Sequence, residues 1–433
     1  MQLVAYGAQD VYLTSNPTVT FFKVVYRRHT NFAMESIEQT FSGAVDFGRK
    51  VSATVSRNAD LIHKTYLEIG LPALSNGGAG TVAWVRNIGN VIIKEVSVSI
   101  GGSQIDKHYG QWLHIWNQLT QTAEHEITYN ELTGNTDLLT VGKTAIPATT
   151  ISVPLQFWFN RNVGLALPLI ALAYHEVKFD IEFRPFSECY QASALATPPT
   201  PVLANASLWI NYIYLDTAER RQFAQITHEY LIEQLQFQGA ESVSQVAFRQ
   251  RLTFNHPCKE LVWVAQPDAN VANVATSNVN ANRWTDFTTG STPYAGPNTL
   301  VDAKLQLNGH DRFATRKANY FNLQQPLDHH TNGPAVGIYV YSFALSPEEH
   351  QPSGSINMSR IDNATMQMTL ASSASSQVFM YATNYNILRI MSGIKQCIYI
   401  HLCLTVSCII SSAITYYEKQ CKLAGNHLTV IPI

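Results

Sequence analysis

Apolar and polar residues alternate along much of this chain with a period of two. In the segment 176–183, Val177, Phe179, Ile181 and Phe183 share one side, and Lys178, Asp180 and Glu182 share the other. Val96, Val98 and Ile100 oppose Ser97 and Ser99. Phe248, Gln250, Leu252 and Phe254 oppose Arg249, Arg251 and Thr253. Runs at 64–71, 206–215, 230–238 and 338–345 repeat the pattern. Side chains of a strand point alternately to opposite faces, so these runs predict half-buried antiparallel strands. Their content of Val, Ile, Tyr, Phe and Trp suits a pleated surface packed on one side.

Helical spacing is rare. Trp112, Ile115, Trp116 and Leu119 follow the i, i+3, i+4, i+7 rule, which predicts a helix whose aromatic stripe packs against a sheet. A second, shorter helix, TAERRQFAQ, follows Asp216 and reads as a connector between two halves. Segments rich in Asn, Thr, Ser, Ala, Gly and Pro at 72–81, about 121–150, 185–205 and 267–299 read as long loops. On a sandwich such loops gather at the ends and can build an outward surface.

The halves echo one another. SIGGSQIDKHY at 99–109 resembles the segment 306–321, each an apolar strand ending in glycine before an Asp and a base. The segment 57–72 resembles 255–267, each running from a turn into an apolar strand stopped by proline. An offset near 200 residues, in a chain of 433, fits two copies of one β-unit.

Composition narrows the function. Hydrophobic residues make up 46% and charged residues only 14%, so large subunit contacts are expected. The formal charge of −2 argues against a protein that coats nucleic acid through phosphate contacts. Cys189 and Cys258 are the only cysteines before residue 397, which points to a reducing compartment rather than a disulfide framework. The N-terminus lacks the basic start and apolar run of a signal peptide.

Catalytic and ligand motifs are weak. TVGKT at 140–144 ends like a phosphate loop, but Asp137 stands where its first glycine is required. Asp328-His329-His330 and His125-Glu126 offer metal-ligand types without a third ligand at a telling spacing. No paired carboxylates suggest glycan hydrolysis. No catalytic residue, cofactor or metal is assigned. Asn205, Asn357 and Asn363 head Asn-x-Ser/Thr sequons and are the candidate glycosylation positions.

The segment QLVAYGAQDVYLTSNPTVTFFKVVYRRHTNFAMESIEQTF at 2–41 closely resembles the start of the major capsid proteins of nucleocytoplasmic large DNA viruses, nearest their algal-virus branch. The resemblance continues in order through GGSQIDKHY (101–109), GLALPLIALAYHEVKF (164–179), YIYLDTAERRQFAQ (212–225), KLQLNGHDRFATRKANYF (304–321) and NYNILRIMSG (384–393). It implies an all-β chain of two tandem eight-stranded antiparallel jelly rolls with a few short helices in loops. It implies the division 1–25 inner-face segment, 26–216 first roll, 217–228 connector, 229–393 second roll and 394–433 atypical apolar tail. It further implies a non-enzymatic homotrimer of hexagonal outline, tiling an icosahedral virion shell assembled in the host cytoplasm. Neighbouring capsomers and minor or cement proteins would be its partners. An internal viral membrane would lie nearby, and sequence-specific nucleic acid binding is not expected. Tyr26 to Phe32 and loops near the Trp112 helix are the expected trimer seam. A low-copy minor capsid paralogue and a virion-surface glycan- or receptor-binding sandwich are the alternatives.

Both ends depart from the family pattern. The resemblance implies a short segment ahead of Met1. Residues 397–417 carry no Asp, Glu, Lys or Arg, long enough for a membrane helix of roughly 20 residues. A stretch read from a shifted frame, a membrane anchor, or an added strand or helix are the readings of this tail.

Overall fold

The structure is a computed structural model that describes residues 7–77, 80–193, 201–271, 282–290, 292–390 and 398–400. In the first half the principal strands are β1 (Phe32–Thr40), β2 (Lys50–Thr54), β3 (Leu61–Leu71), β4 (Ile93–Ile100), β5 (Ser103–Tyr109), β6 (Thr149–Pro154), β7 (Leu167–Pro168), β8 (Val177–Phe183) and β9 (Asn205–Leu215). Helices α1 (Gly110–Thr120) and α2 (Ala123–Leu132) lie between β5 and β6. One sheet has the order β1–β9–β3, with β6 and β7 sharing the far side of β3. The other has the order β2–β8–β4–β5.

A helix α3 (Thr217–Gln225) follows, its first turn capped by the Asp216 carboxylate accepting from the Thr217 N–H at 2.7 Å. Arg220 ties it back to Asp60 at 2.9 Å. The second half then supplies β10 (His228–Val243), β11 (Ala247–Leu252), β12 (Pro257–Pro267), β13 (Leu300–Leu307), β14 (His310–Asp311), β15 (Arg316–Lys317), β16 (Ile338–Ser342), β17 (Ile356–Asn357), β18 (Ala364–Leu370) and β19 (Ser376–Ile390). Its sheets run β10–β19–β12, with β16 and β17 beside β12, and β11–β18–β13, with β14 and β15 beside β13. Apart from β15, this is strand for strand the order of the first half, and every pairing is antiparallel. The fold is two tandem jelly rolls. The sequence echoes fall on matching parts: 99–109 and 306–321 hold the β4–β5 and β13–β14 hairpins, and 57–72 and 255–267 hold β3 and β12.

Alternation explains each core. Val177, Phe179, Ile181 and Phe183 are all buried and share one hydrophobic core with Ile62, Leu67 and Ile69 of the opposite sheet. Leu252 and Phe254 enter the second core as the pattern predicts. Strand β12 is different, because it is buried on both faces. Leu261, Trp263 and Ala265 point into their own core, while Val262 and Val264 point toward the first half. A strand covered on both sides has no polar face, hence its continuous apolar run.

The long loops are more ordered than their composition suggests. The segment 121–150 holds α2, a helical turn Asp137–Thr140 and a short strand Ala145–Ile146 paired with Leu74–Ser75. Thr81–Trp84 pairs with Tyr190–Ser193. Backbone that travels far from the main sheets still needs hydrogen-bond partners, and these excursions supply them to each other.

Candidate assembly surfaces

Helix α1 joins the two rolls. Its start allows no side chain: a Cβ on Gly110 would lie 2.1 Å from the Asn90 carbonyl and 2.2 Å from that of Ile93. Glycine lets the backbone press onto that turn. From there Trp112, Ile115, Trp116 and Leu119 pack on Val262, Val264, Ile338, Val340 and Tyr381 of the second roll. Trp112 meets Trp116 at 5.7 Å and Tyr381 at 5.2 Å between ring centroids. The sheet foreseen behind this stripe therefore belongs to the other half of the chain.

Polar contacts reinforce the seam. Buried Asp106 of β5 accepts from the Leu235 N–H of β10 at 3.1 Å. Its other oxygen lies 3.0 Å from the His108 ring without hydrogen-bond alignment. From the segment 267–299, read as an outward loop, residues 282–290 instead dock on the first roll. Asn282 donates to the Ser187 and Tyr190 carbonyls at 2.8 and 2.9 Å, and Trp284 donates to the Glu188 carbonyl. The Arg184 guanidinium stacks 4.0 Å over the Trp284 ring. Residues 272–281 of that loop lie outside the described residues.

A chain of buried charges crosses the same boundary. Arg161 of the first roll stacks on Trp116 at 4.4 Å and reaches Glu233 of the second at 2.8 Å. Glu233 also holds the fully buried Lys259 at 2.8 Å, and Lys259 donates to the Pro347 carbonyl at 2.7 Å. A bulge between Cys258 and Glu260 gives β12 its extra residue here. Burial pulls Lys259 below lysine's ordinary value, against the Glu233 and Glu260 charges. Glu260 faces His330 at 3.0 Å and accepts from the Thr383 hydroxyl at 3.0 Å. Burial alone would raise Glu260, but the His330 charge holds it below the carboxylate range. His330 reaches Glu348 through its other nitrogen at 2.8 Å. Burial lowers His330, and the two carboxylates outweigh it, raising it to about 9.

The residues singled out as chemical candidates lie apart. In TVGKT, Lys143 forms a backbone bridge with Val82, so the segment is an extended edge rather than a phosphate nest. His125 contacts the Thr122 hydroxyl at 3.0 Å, His329 the Leu345 carbonyl at 2.9 Å, and His330 the carboxylates above. Cys189 and Cys258 are buried free thiols, each pushed up to about 12 by burial. Asn205 begins β9 and pairs with Gly70. Asn357 accepts from the Ser359 N–H at 3.1 Å, and Asn363 closes the turn at Asn308 through its backbone. All three asparagines are exposed. Residues 401–433 of the apolar tail lie outside the described residues, and Ile398–Ile400 pairs with 388–390 at the end of β19. Sequence reasoning missed the Arg161–Glu233–Lys259 and Glu260–His330–Glu348 links. Their members are scattered in sequence, Arg161 lying 72 residues before Glu233 and His330 lying 18 before Glu348, and Lys259-Glu260 looks like an ordinary solvated pair.

The other prominent surface is the segment before β1. Tyr12, Phe21, Phe22 and Tyr26 are 90%, 93%, 98% and 85% exposed, and Phe32 is 59% exposed. A contiguous apolar stretch left open to water marks a contact surface. The model of the major capsid protein N-terminus matches residues 20–216, and that of the large eukaryotic DNA virus major capsid protein matches 219–395. The chain belongs to this capsid protein family. It is 49% identical to the major capsid protein of Pyramimonas orientalis virus, covering 91% of this chain and 97% of that protein. It is 45% identical to that of Phaeocystis pouchetii virus, covering 91% and 98%. Its fold matches the quasi-atomic model of the PBCV-1 virus capsid, with a TM-score of 0.73 and 35% identity over 89% of this chain and all of that one. The Faustovirus major capsid protein shares the fold at a TM-score of 0.75 with 13% identity, over 88% of this chain and 94% of that one. As a capsid protein, the chain has a structural task.

Proposed function

We propose that this capsid protein is the principal shell-forming subunit of an icosahedral virion. Three copies associate as a homotrimer of near-hexagonal outline, and the trimers tile the shell. The observation that carries this reading is the fixed pairing of two rolls with one strand order, joined by the α1 stripe. Three such chains offer six similar sandwiches, which lets one gene product fill hexagonal lattice positions. The division into 1–25, 26–216, 217–228, 229–393 and 394–433 follows the strand sets, with α3 as the connector. Residues 1–25 face the interior, toward an internal membrane and minor or cement proteins, and Tyr26 to Phe32 enter the trimer seam. Helix α1 is spent within the chain, so only loops beside it contribute to that seam.

The role is structural rather than catalytic: the titratable groups at the seam are tied up in pairs, Arg161 and Lys259 with Glu233, and His330 with Glu260 and Glu348. Specific nucleic acid recognition has no part in it, and assembly takes place in the host cytoplasm. Asn205, Asn357 and Asn363 are open to carbohydrate attachment, which intact mass before and after glycosidase treatment reads directly.

Sedimentation and native mass of purified protein test the assembly. A species of three chains that packs into hexagonal arrays supports the proposal, and a monomer at every concentration refutes it. Quantitative mass spectrometry of virions separates the principal subunit from a minor paralogue by copy number.

A further inference from the structure

Each roll carries a helix in the same place, but only one of the two is covered. In the first roll it is α1. In the second it is a helical segment made of Tyr320–Gln324 and Gln325–His329, again ahead of the strand that borders the central sheet. Each helix sinks one side chain into its own core, Leu113 in the first roll and Phe321 in the second. Two, three and six residues past Leu113 come Ile115, Trp116 and Leu119, sealed under the second roll. The same steps past Phe321 give Leu323, Gln324 and Leu327. Ile115 and Leu119 are 0% exposed, whereas Leu323 is 57% exposed and Leu327 82%. The second helix repeats the stripe of the first and shows it to water.

The face that α1 covers also has a counterpart. Phe237, Tyr381, Val262 and Val340 form one row across β10, β19, β12 and β16 beneath the α1 stripe. The Leu155 N–H donates to the Thr65 carbonyl at 2.9 Å, and the Phe343 N–H to the Lys259 carbonyl at 2.8 Å, at matching points of the two rolls. Three residues past Thr65 is Glu68, and three past Lys259 is Val262. The matching row of the first roll is therefore Thr40, Ser207, Glu68 and Ser152, with Glu38, Trp209, Tyr66 and Pro154 in the row beside it. Leu67 and Ile69 alternate with these positions and enter the first core, so both rows face outward. Trp209 and Tyr66 are half-buried and belong to neither core. Charges match along the edges as well. In the first roll β5 meets β10 through Asp106 and Leu235. The corresponding β14–β15 edge carries exposed Arg312 and Arg316, and β1, the counterpart of β10, carries exposed Glu35 and Glu38 in a stretch, 29–48, without lysine or arginine.

We propose that Leu323 and Leu327 of one chain pack on the outer face of β1, β9, β3 and β6 in a second copy, repeating between chains the joint that α1 makes within one. The proposal rests on the self-assembly reading and names the surfaces that assembly uses. The occupant is a second copy because of the direction of the existing joint. The movement that carries the first roll onto the second, applied again, leads on to a new roll and not back to the first. Such a contact is head-to-tail, the kind that closes into rings. Donor and acceptor also stand at the same height, since each matches its partner in the joint already formed. The two joints differ in lining for a physical reason. The joint within the chain forms as the chain folds and can be dry. The face that waits for another copy must stay wet until then, so Thr40, Ser207, Glu68 and Ser152 replace the apolar row, and Trp209 and Tyr66 supply the anchors.

The test uses the full chain with Leu327→p-benzoylphenylalanine, photolysed in a mixture of heavy- and light-isotope copies. Cross-links from position 327 to β1, β9, β3 or β6 in mixed-isotope pairs support the proposal. Links confined to one chain, its tail included, or to another surface overturn it. A pair of substitutions gives the independent arm of the test. L323E/L327E should weaken the oligomer about a hundredfold or more, read by sedimentation across a dilution series. Both positions are exposed in the single chain, so the melting of the monomer should not move. If L323E/L327E leaves the oligomer unchanged, this inference falls and the assembly reading stands. If the unaltered chain forms no oligomer, both fall.

Discussion

The α1 stripe makes a quantitative prediction through Trp112. Trp112, Ile115, Trp116 and Leu119 are each 4% exposed or less. Burying an apolar side chain of this size contributes about 1.5–3 kcal/mol, so the stripe as a whole contributes roughly 6–12 kcal/mol to holding the rolls together. Trp112→Ala removes the largest member and leaves a cavity between Trp116 and Tyr381, which costs about 3–5 kcal/mol. The indole N–H of Trp112 has no hydrogen-bond partner. The cost is therefore one of packing, and Trp112→Phe should cost less than about 2 kcal/mol. Urea unfolding at fixed protein concentration, read by circular dichroism and by hydrogen exchange in β12 and β16, measures both. W112A should lower the midpoint and open β12 and β16 to exchange ahead of the first roll. A loss under about 1 kcal/mol, or equal losses for W112A and W112F, would refute the view that this stripe is a packed joint.

Other outcomes follow from the buried charges and the tight turn. Lys259→Met strands part of the Glu233 charge in the interior and should destabilise by about 3 kcal/mol, since Arg161 still offsets the rest; calorimetry of the purified protein reads it. His330 stands at about 9, above its ordinary 6.5, so its contribution is complete below pH 6.5 and disappears as pH rises through 9. Stability measured across that window should fall with pH, and H330Q should remove up to about 1.4 kcal/mol per unit of that slope. Gly110→Ala drives a methyl group into two carbonyls and should cost about 1–3 kcal/mol or more, seen as a lowered melting temperature with α1 exposed to proteolysis.

Much of this architecture was legible in the residues, for reasons that can be assigned. Strands with one wet face announce themselves by alternation, as β8 and β11 do. The α1 stripe announced a helix, but a stripe does not say which sheet it meets. Its partner lies more than 140 residues away, across the connector. Helix α2 escaped notice because it buries one residue, Tyr129, and so leaves no periodic apolar record. Composition marked 267–299 as loop, yet Asn282, Arg283 and Asp286 are buried: Arg283 pairs with Asp286 and Asn270, and Asn282 donates to backbone carbonyls of the first roll, so polar residues fill this interface by finding partners. The bulge at Lys259 hid a buried cation behind a sequence that looks solvated.

The two-faced burial of β12 has a consequence for biogenesis. A ribosome delivers Trp112 and Trp116 roughly 150–260 residues before the strands that shield them, and at about 5–20 residues per second that leaves roughly 10–50 s of nakedness. For that interval the nascent first roll shows a greasy ridge to a crowded host. Either a chaperone shelters it or translation must outrun aggregation, so the yield of capsids is set partly by the tempo of synthesis.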